Sequence, residues 1–181
     1  MDFVKLRRYG ELDGLDKERI PQLISGAYKI VPRGAIYTVI LHGSAVTRYG
    51  TNNDLDLLVF CNKEEDRTKL EAATELSKSP LDVNFRLPST FLDVCRKPFL
   101  KHGRGIGGKI ERADEEQRYE IVISLLHGFP VYHIPEGNQL LREGRDLLKA
   151  YHGEKIWQET LTWWQEEVRK RNELKMRFPG K

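Results

Sequence analysis

The stretch HGSAVTRYGTNNDLDLLVF, residues 42–60, links a Gly-Ser pair to two aspartates through a polar, turn-rich spacer. Its last six residues, LDLLVF, are apolar apart from one carboxylate and predict a buried strand. Because strand side chains alternate, Asp54 and Asp56 are expected on one face of this strand and Leu55 on the other. Two carboxylates at the mouth of a buried strand must reach water or be neutralised by a bound group. The stretch therefore marks a candidate binding site.

A third carboxylate follows on a later strand. Residues 81–87 (LDVNFRL) alternate apolar and polar side chains, which is the period of a strand, and Asp82 stands near its start. Asp54, Asp56 and Asp82 are thus expected to converge at one end of a small sheet. Carboxylate oxygens are preferred ligands of hard divalent cations, so the three acids predict a Mg²⁺ site, with Mn²⁺ as an alternative. They are the candidate catalytic and metal-binding residues.

The Gly-Ser pair is the candidate phosphate-binding element. A buried strand predicted over residues 35–41 (AIYTVIL) runs directly into it. Gly43 allows close approach of the backbone, and Ser44 is expected to open a short helix whose N–H groups and hydroxyl receive a phosphate. A nucleoside triphosphate can approach three carboxylates only with Mg²⁺ between them, which also neutralises the leaving pyrophosphate.

The ordered set, HGSAVTRYGTNNDLDLLVF followed by LDVNF, resembles the signature of the polymerase-β-like nucleotidyltransferase superfamily, most closely its minimal nucleotidyltransferase group. In this resemblance Gly43 and Ser44 match the phosphate-binding pair. The residues that match the three metal-binding acids are Asp54, Asp56 and Asp82. The segment HGFPVYHI looks like a later strand of the group, so the resemblance covers about residues 36–134.

The spacer AVTRYGTNN departs from the family pattern. Small members often carry Arg-Gly soon after the Gly-Ser pair and a serine directly before the first acid, whereas here Arg48 is displaced and Asn53 stands in the place of the serine. Arg48 is still a candidate contact to the nucleotide.

The resemblance implies transfer of a nucleoside monophosphate from an NTP to a hydroxyl acceptor, with release of pyrophosphate and Mg²⁺ at the three acids. RNA or a protein is favoured as the acceptor over a small molecule. The resemblance is also compatible with an oligomer or with a partner subunit. The alternative function is a non-catalytic nucleotide- or RNA-binding module, or a partner-dependent subunit, of the same fold. Three mutually repelling carboxylates favour the enzyme.

The remaining periodicities predict helices flanking the strands. Amphipathic or capped helices are expected over residues 18–31, 63–79, 114–128, 137–151 and 154–176. Pro130 favours an edge position for a fourth strand, FPVYHI. Together with these elements, the resemblance implies the fold class α/β (α+β): a small mixed β-sheet with helices packed on one side, of polymerase-β-like type, with C-terminal helices. Residues 1–135 are expected to form the nucleotidyltransferase domain and residues 136–181 a C-terminal helical extension.

Residues 86–112 form a basic segment, with seven basic residues against two acids. It suggests an anionic ligand, although a solvated loop is the equal alternative. A short helix interrupted by Pro98 is an alternative for residues 89–102, but most of the segment is expected to be irregular. Its GRGIGGK run matches two glycine motifs, but no strand precedes it and Ile110 stands where a P-loop needs Ser or Thr. Arg104 and Lys109 are candidate contacts to triphosphate or RNA.

An aromatic stripe marks the last predicted helix. Its members are Trp157, Leu161, Trp164 and Val168. Core packing is the favoured interpretation, with base stacking by an outer face that includes Trp163 as the alternative. The histidines show no metal-ligand spacing, and His42 is expected to pack at a strand end.

Composition limits the classes of protein, membrane, secreted or cytoplasmic, to which the chain is expected to belong. With 39% hydrophobic and 31% charged residues and no apolar run near the length of a membrane span, a membrane role is not expected. The first residues lack the apolar core of a secretory signal, which predicts a cytoplasmic protein. Cys61 and Cys95 lie far apart in the sequence and are expected to be reduced thiols.

Overall fold

The computed structural model describes residues 14–43, 46, 55–73, 76, 81–96 and 115–177. This part of the chain contains four strands and six helices. The strands are β1 (Ile36–His42), β2 (Leu55–Cys61), β3 (Leu81–Arg86) and β4 (Phe129–Tyr132). The helices are α1 (Gly14–Ala27), α2 (Glu64–Ala72), α3 (Pro88–Cys95), α4 (Glu115–His127), α5 (Ile134–His152) and α6 (Glu154–Arg177).

The strands form one mixed sheet in the order β3-β2-β1-β4. β1 is antiparallel to both of its neighbours, β2 and β4, whereas β2 and β3 are parallel. β4 is an edge strand of this sheet, as Pro130 predicts, because proline has no N–H to donate to a further strand. The mixed α/β composition with a small mixed sheet is thus confirmed.

Helices cover both faces of the sheet. On one face Ile40, Leu58 and Phe60 pack in a core with side chains of α3, α4, α5 and α6. On the other face Val39 and Leu57 pack in a second core with α1 and α2. The prediction of helices on one side only is therefore wrong. The prediction fails because β1 and β2 bury apolar side chains on both faces of the sheet, so each face must pack against helices.

The start of the basic segment is helical, although most of that segment was expected to be irregular. α3 carries Pro88 in its first turn, where proline costs no helical hydrogen bond. Phe91 on α3 is fully buried and meets the ring of Phe60 edge to face, with 5.2 Å between the ring centroids. The glycine run GRGIGGK lies outside the described residues.

The two C-terminal helices share the first core with the sheet. A Cβ added at Gly144 of α5 would lie 2.8 Å from Leu125 Cδ2 and 3.1 Å from Phe91 Cε1, so glycine permits close packing of α5 on α4 and α3. Trp157 and Trp164 of α6 are 5% and 6% exposed, which confirms the core interpretation for these two members of the stripe. The side chains of Trp163 and Val168 lie outside the described part, and the division at residue 135 stays a prediction.

Among the helices that the structure describes, none combines the length and the apolar character needed to cross a membrane.

Candidate functional site

Three polar side chains stand in one row across the sheet. His42 at the end of β1 pairs with Asp56 near the start of β2, and Asp56 pairs with Asp82 near the start of β3. By strand alternation, the row lies on the face that carries Ile40 and Leu58. His42 is 6% exposed, Asp56 is half-buried and Asp82 is exposed. The row therefore runs from the protein interior out to solvent, with two carboxylates at its outer end.

Gly43 follows the row at the end of β1. It has φ +72°, in the left-handed region that favours glycine. A Cβ at this position would overlap Oδ2 of Asp56 and lie 2.6 Å from its Cγ. The sequence thus needs glycine here for two reasons, the backbone conformation and the space taken by the Asp56 carboxylate.

A histidine from a distant helix holds the same glycine. Gly43 donates its backbone N–H to Nε2 of His127, the last residue of α4, over 2.9 Å. The His127 ring stacks on Trp164 of α6, with 4.7 Å between centroids and 13° between planes. Because Nε2 accepts a hydrogen bond, the neutral ring carries its proton on Nδ1. Among the described residues this buried Nδ1 has no hydrogen-bond partner.

The imidazoles of His42 and of His127 are both neutral at neutral pH. Burial lowers the pKa of His42 to about 4. Burial also lowers the pKa of His127 to about 3, and the neighbouring His42 adds to this effect. At neutral pH the two rings therefore contribute hydrogen-bonding groups to the site and no positive charge.

The strand register explains why His127 reaches Gly43. β4 pairs antiparallel with β1 so that Phe129 lies opposite Leu41. Extending that register beyond the paired residues places position 127 opposite position 43. The tight turn through Gly128 between α4 and β4 is set by another close approach, since a Cβ there would lie 2.5 Å from the Ser124 carbonyl oxygen.

The structure brings three of the predicted site residues together, namely Gly43, Asp56 and Asp82. The others lie outside the described residues: Ser44, Arg48, Asp54, Arg104 and Lys109. In the described part of the chain, no group of three or more His, Cys, Asp or Glu side chains is arranged to hold a metal ion. Asp54 lies outside the described residues, so the predicted three-acid set stays a prediction.

Sequence reasoning assigned no role in the site to His127 or Trp164. His127 has no motif spacing, and the aromatic stripe predicted only burial for Trp164, which is correct. The available signal was indirect: an apolar helix that ends in His127, one glycine before the predicted strand FPVYHI. Only the pairing of that strand with β1 shows that the histidine arrives at the Gly-Ser turn.

Neither a protein-family model, nor a curated protein, nor a solved structure matches this chain.

Proposed function

We propose that the protein is a metal-dependent nucleotidyltransferase, which transfers a nucleoside monophosphate from an NTP to a hydroxyl acceptor and releases pyrophosphate. The observation that carries the proposal is the in-register pairing of Asp56 and Asp82 on parallel strands, with Gly43 packed against the Asp56 carboxylate. The sequence resemblance of the Gly-Ser, Asp-x-Asp and Asp set supports the same function.

The two described carboxylates fit a hard divalent cation. Neighbouring strands lie about 4.8 Å apart, so in-register side chains on one face can reach a common ligand. Two carboxylates at this spacing repel each other unless a cation or a proton lies between them. Asp56 and Asp82, with Asp54 as the predicted third acid, would hold Mg²⁺ or Mn²⁺. Such an ion supplies neutralisation of phosphate charge and lowers the pKa of the acceptor hydroxyl.

The chain's own residues then orient the reactants and take up a proton. The acceptor oxygen attacks the α-phosphorus of the NTP, the bond from that phosphorus to the bridging oxygen breaks, and pyrophosphate leaves with the electron pair. The hydroxyl proton passes to a carboxylate, for which exposed Asp82 is the accessible group. Half-buried Asp56 is fixed against the Gly43 backbone and so keeps one orientation.

In the proposed site Gly43 acts by placing the turn and not by donating a hydrogen bond to the phosphate. Its N–H is donated to His127 and its carbonyl accepts the N–H of Val46 over 3.3 Å. In the proposed function the phosphate contacts therefore come from groups after Gly43 in the turn, beginning with Ser44, as the Gly-Ser pattern predicts.

The test is transfer of label from each α-³²P-labelled NTP to a cell extract in the presence of Mg²⁺, followed by RNase or protease treatment of the product. D56N and D82N are compared with D146N, which removes the charge of an exposed aspartate on α5. We expect transfer by the wild type and D146N, and loss of at least about a hundredfold in D56N and D82N, the scale found when one group that stabilises transition-state charge is removed.

Label transfer at the wild-type rate by D56N and D82N would overturn the proposed site. Thermal stabilisation by NTP that does not depend on Mg²⁺, with no transfer to any fraction, would instead indicate the non-catalytic binding module. RNase sensitivity of the labelled product identifies RNA as the acceptor, and protease sensitivity identifies a protein.

A further inference from the structure

We infer that His127 and Trp164 are positioning residues for the Gly43 turn: the imidazole fixes the Gly43 N–H, and the indole fixes the imidazole. The inference rests on the proposed function, because the turn carries the predicted phosphate contacts. It extends the site to the C-terminal helix α6, a segment that the sequence pattern assigns to core packing alone.

The first link is the hydrogen bond from Gly43 to His127. A backbone N–H at the end of a strand normally finds its acceptor in a neighbouring strand, a turn or water. Here the acceptor is the Nε2 atom of a side chain 84 positions away in the sequence, at 2.9 Å. A tertiary contact therefore helps to set the direction in which β1 ends, beside the local hydrogen bond from Val46 to the Gly43 carbonyl.

The second link is the stack of His127 on Trp164. The two rings are nearly parallel, and both side chains are at most 6% exposed. The stack holds the plane of the imidazole, because any rotation short of a half-turn about the Cβ–Cγ bond loses the face-to-face contact with the indole. Within that plane, the hydrogen bond from Gly43 favours the orientation that presents Nε2 to the backbone. Trp164 thus holds the ring in the plane in which Nε2 faces the backbone.

The third link leads from Gly43 to the acids. The Cα of Gly43 packs against the side chain of Asp56, which in turn pairs with Asp82. Displacement of the Gly43 peptide therefore moves the start of the Gly-Ser turn relative to the Asp56 carboxylate. Small errors of this kind, on the order of 1 Å, are enough to lower enzymatic rates by about a hundredfold.

Substitutions at His127 separate the hydrogen bond from burial. H127L removes the acceptor and keeps an apolar side chain of moderate size, whereas the amide oxygen of H127Q can accept the Gly43 N–H from a similar distance. We expect kcat to fall roughly ten- to hundredfold in H127L with little change in the KM of the NTP, and H127Q to recover most of the loss.

Substitutions in α6 separate stacking from core packing. W164L and W157L each remove one buried indole from the same stripe, and Trp157 serves as the matched control. We expect both to lower the free energy of unfolding by similar amounts, but only W164L to lower kcat. W164F keeps an aromatic face and is expected to retain kcat within about threefold, because a flat ring preserves most of the stacking.

A readout that does not need activity is hydrogen exchange of the Gly43 amide, followed by ¹⁵N NMR with the Leu41 amide as the internal reference. Loss of a hydrogen bond worth about 1.4 kcal/mol corresponds to a tenfold change, so we expect exchange at Gly43 to be about tenfold faster in H127L and W164L than in H127Q and W157L. Unchanged exchange in H127L would overturn the inference.

NTP transfer and hydrogen exchange at Gly43 test the proposed function and the positioning role separately. Absence of NTP transfer by the wild type refutes the proposed function, while the exchange data still test whether His127 holds the turn. Retention of wild-type kcat by both H127L and W164L, with faster exchange at Gly43, refutes a positioning role in the reaction. If H127L does not fold, the comparison of W164L with W164F and W157L decides the question alone.

Discussion

Replacement of Gly43 by alanine should destabilise the fold in two ways, through backbone strain and through a collision with Asp56. Gly43 has φ +72°, and an added Cβ would overlap Oδ2 of Asp56, with Cγ at 2.6 Å and Cβ at 3.0 Å. Gly34 provides a matched control, because it has φ +90° while an added Cβ meets nothing within 4 Å. G34A therefore measures backbone strain alone, whereas G43A measures the same strain together with the collision.

The magnitudes follow from these two geometries. A left-handed conformation costs a residue with a Cβ about 1–2 kcal/mol. Forcing extra atoms into a packed region adds about 1–3 kcal/mol. We expect G34A to lower the free energy of unfolding by about 1–2 kcal/mol and G43A by about 2–5 kcal/mol. The smaller entropy of an unfolded alanine is common to both variants and cancels in the comparison.

The assay is urea unfolding at neutral pH, with D56A added to complete a double-mutant cycle. D56A removes Oδ2 and Cγ from the collision and leaves only the contact with Cβ at 3.0 Å. The cost of G43A should then fall by about 1–2 kcal/mol towards that of G34A. A cost for G43A no larger than that of G34A, or one that D56A does not change, would refute the close approach of Asp56 to the glycine.

Two further predictions concern buried titratable groups. In the unfolded protein His127 takes up a proton below about pH 6.5, whereas burial in the folded protein lowers its pKa to about 3. The free energy of unfolding therefore falls as the pH decreases between these two values. From pH 7 to pH 5 the wild type should lose about 2 kcal/mol more than H127Q in urea unfolding; parallel losses would contradict a buried neutral ring. Burial raises the pKa of Cys61 and of Cys95 to about 12. At mildly alkaline pH neither thiol should react with a disulfide reagent until denaturant is added, and rapid labelling of the native protein would count against their burial.

The strands were the most predictable part of the fold. β1 and β2 are short, nearly continuous apolar runs bounded by turn residues. The observed β1 is shifted by one residue at both ends relative to the prediction, and the observed β2 is one residue longer at its end. The same runs contained the information that both faces are buried, since they do not alternate as a half-exposed strand does. The expectation of helices on one side came from the family resemblance and not from this pattern.

The positions of Asp56 and Asp82 near the starts of two strands were predictable, but the pairing of these two residues was not. Period-2 alternation places Asp82 at the start of a strand, yet only the parallel pairing of β2 with β3 sets it opposite Asp56. The role of His127 was out of reach, because its contact with Gly43 depends on the pairing of β4 with β1 across a long sequence separation. Single-sequence patterns report local periodicity, and they carry no direct signal for such pairings.

The strand order has a consequence for the growing chain on the ribosome. β1 is made early, but β4, which covers one of its edges, ends at Tyr132, and the Trp164 that stacks on His127 comes 121 positions after Gly43. At about 5–20 residues per second, synthesis of that interval takes roughly 6–24 s. Until β4 has been made, within this interval, β1 has an unpaired edge that can pair with another strand. A nascent chain stalled before residue 129 should therefore depend on chaperones more than one released after residue 164.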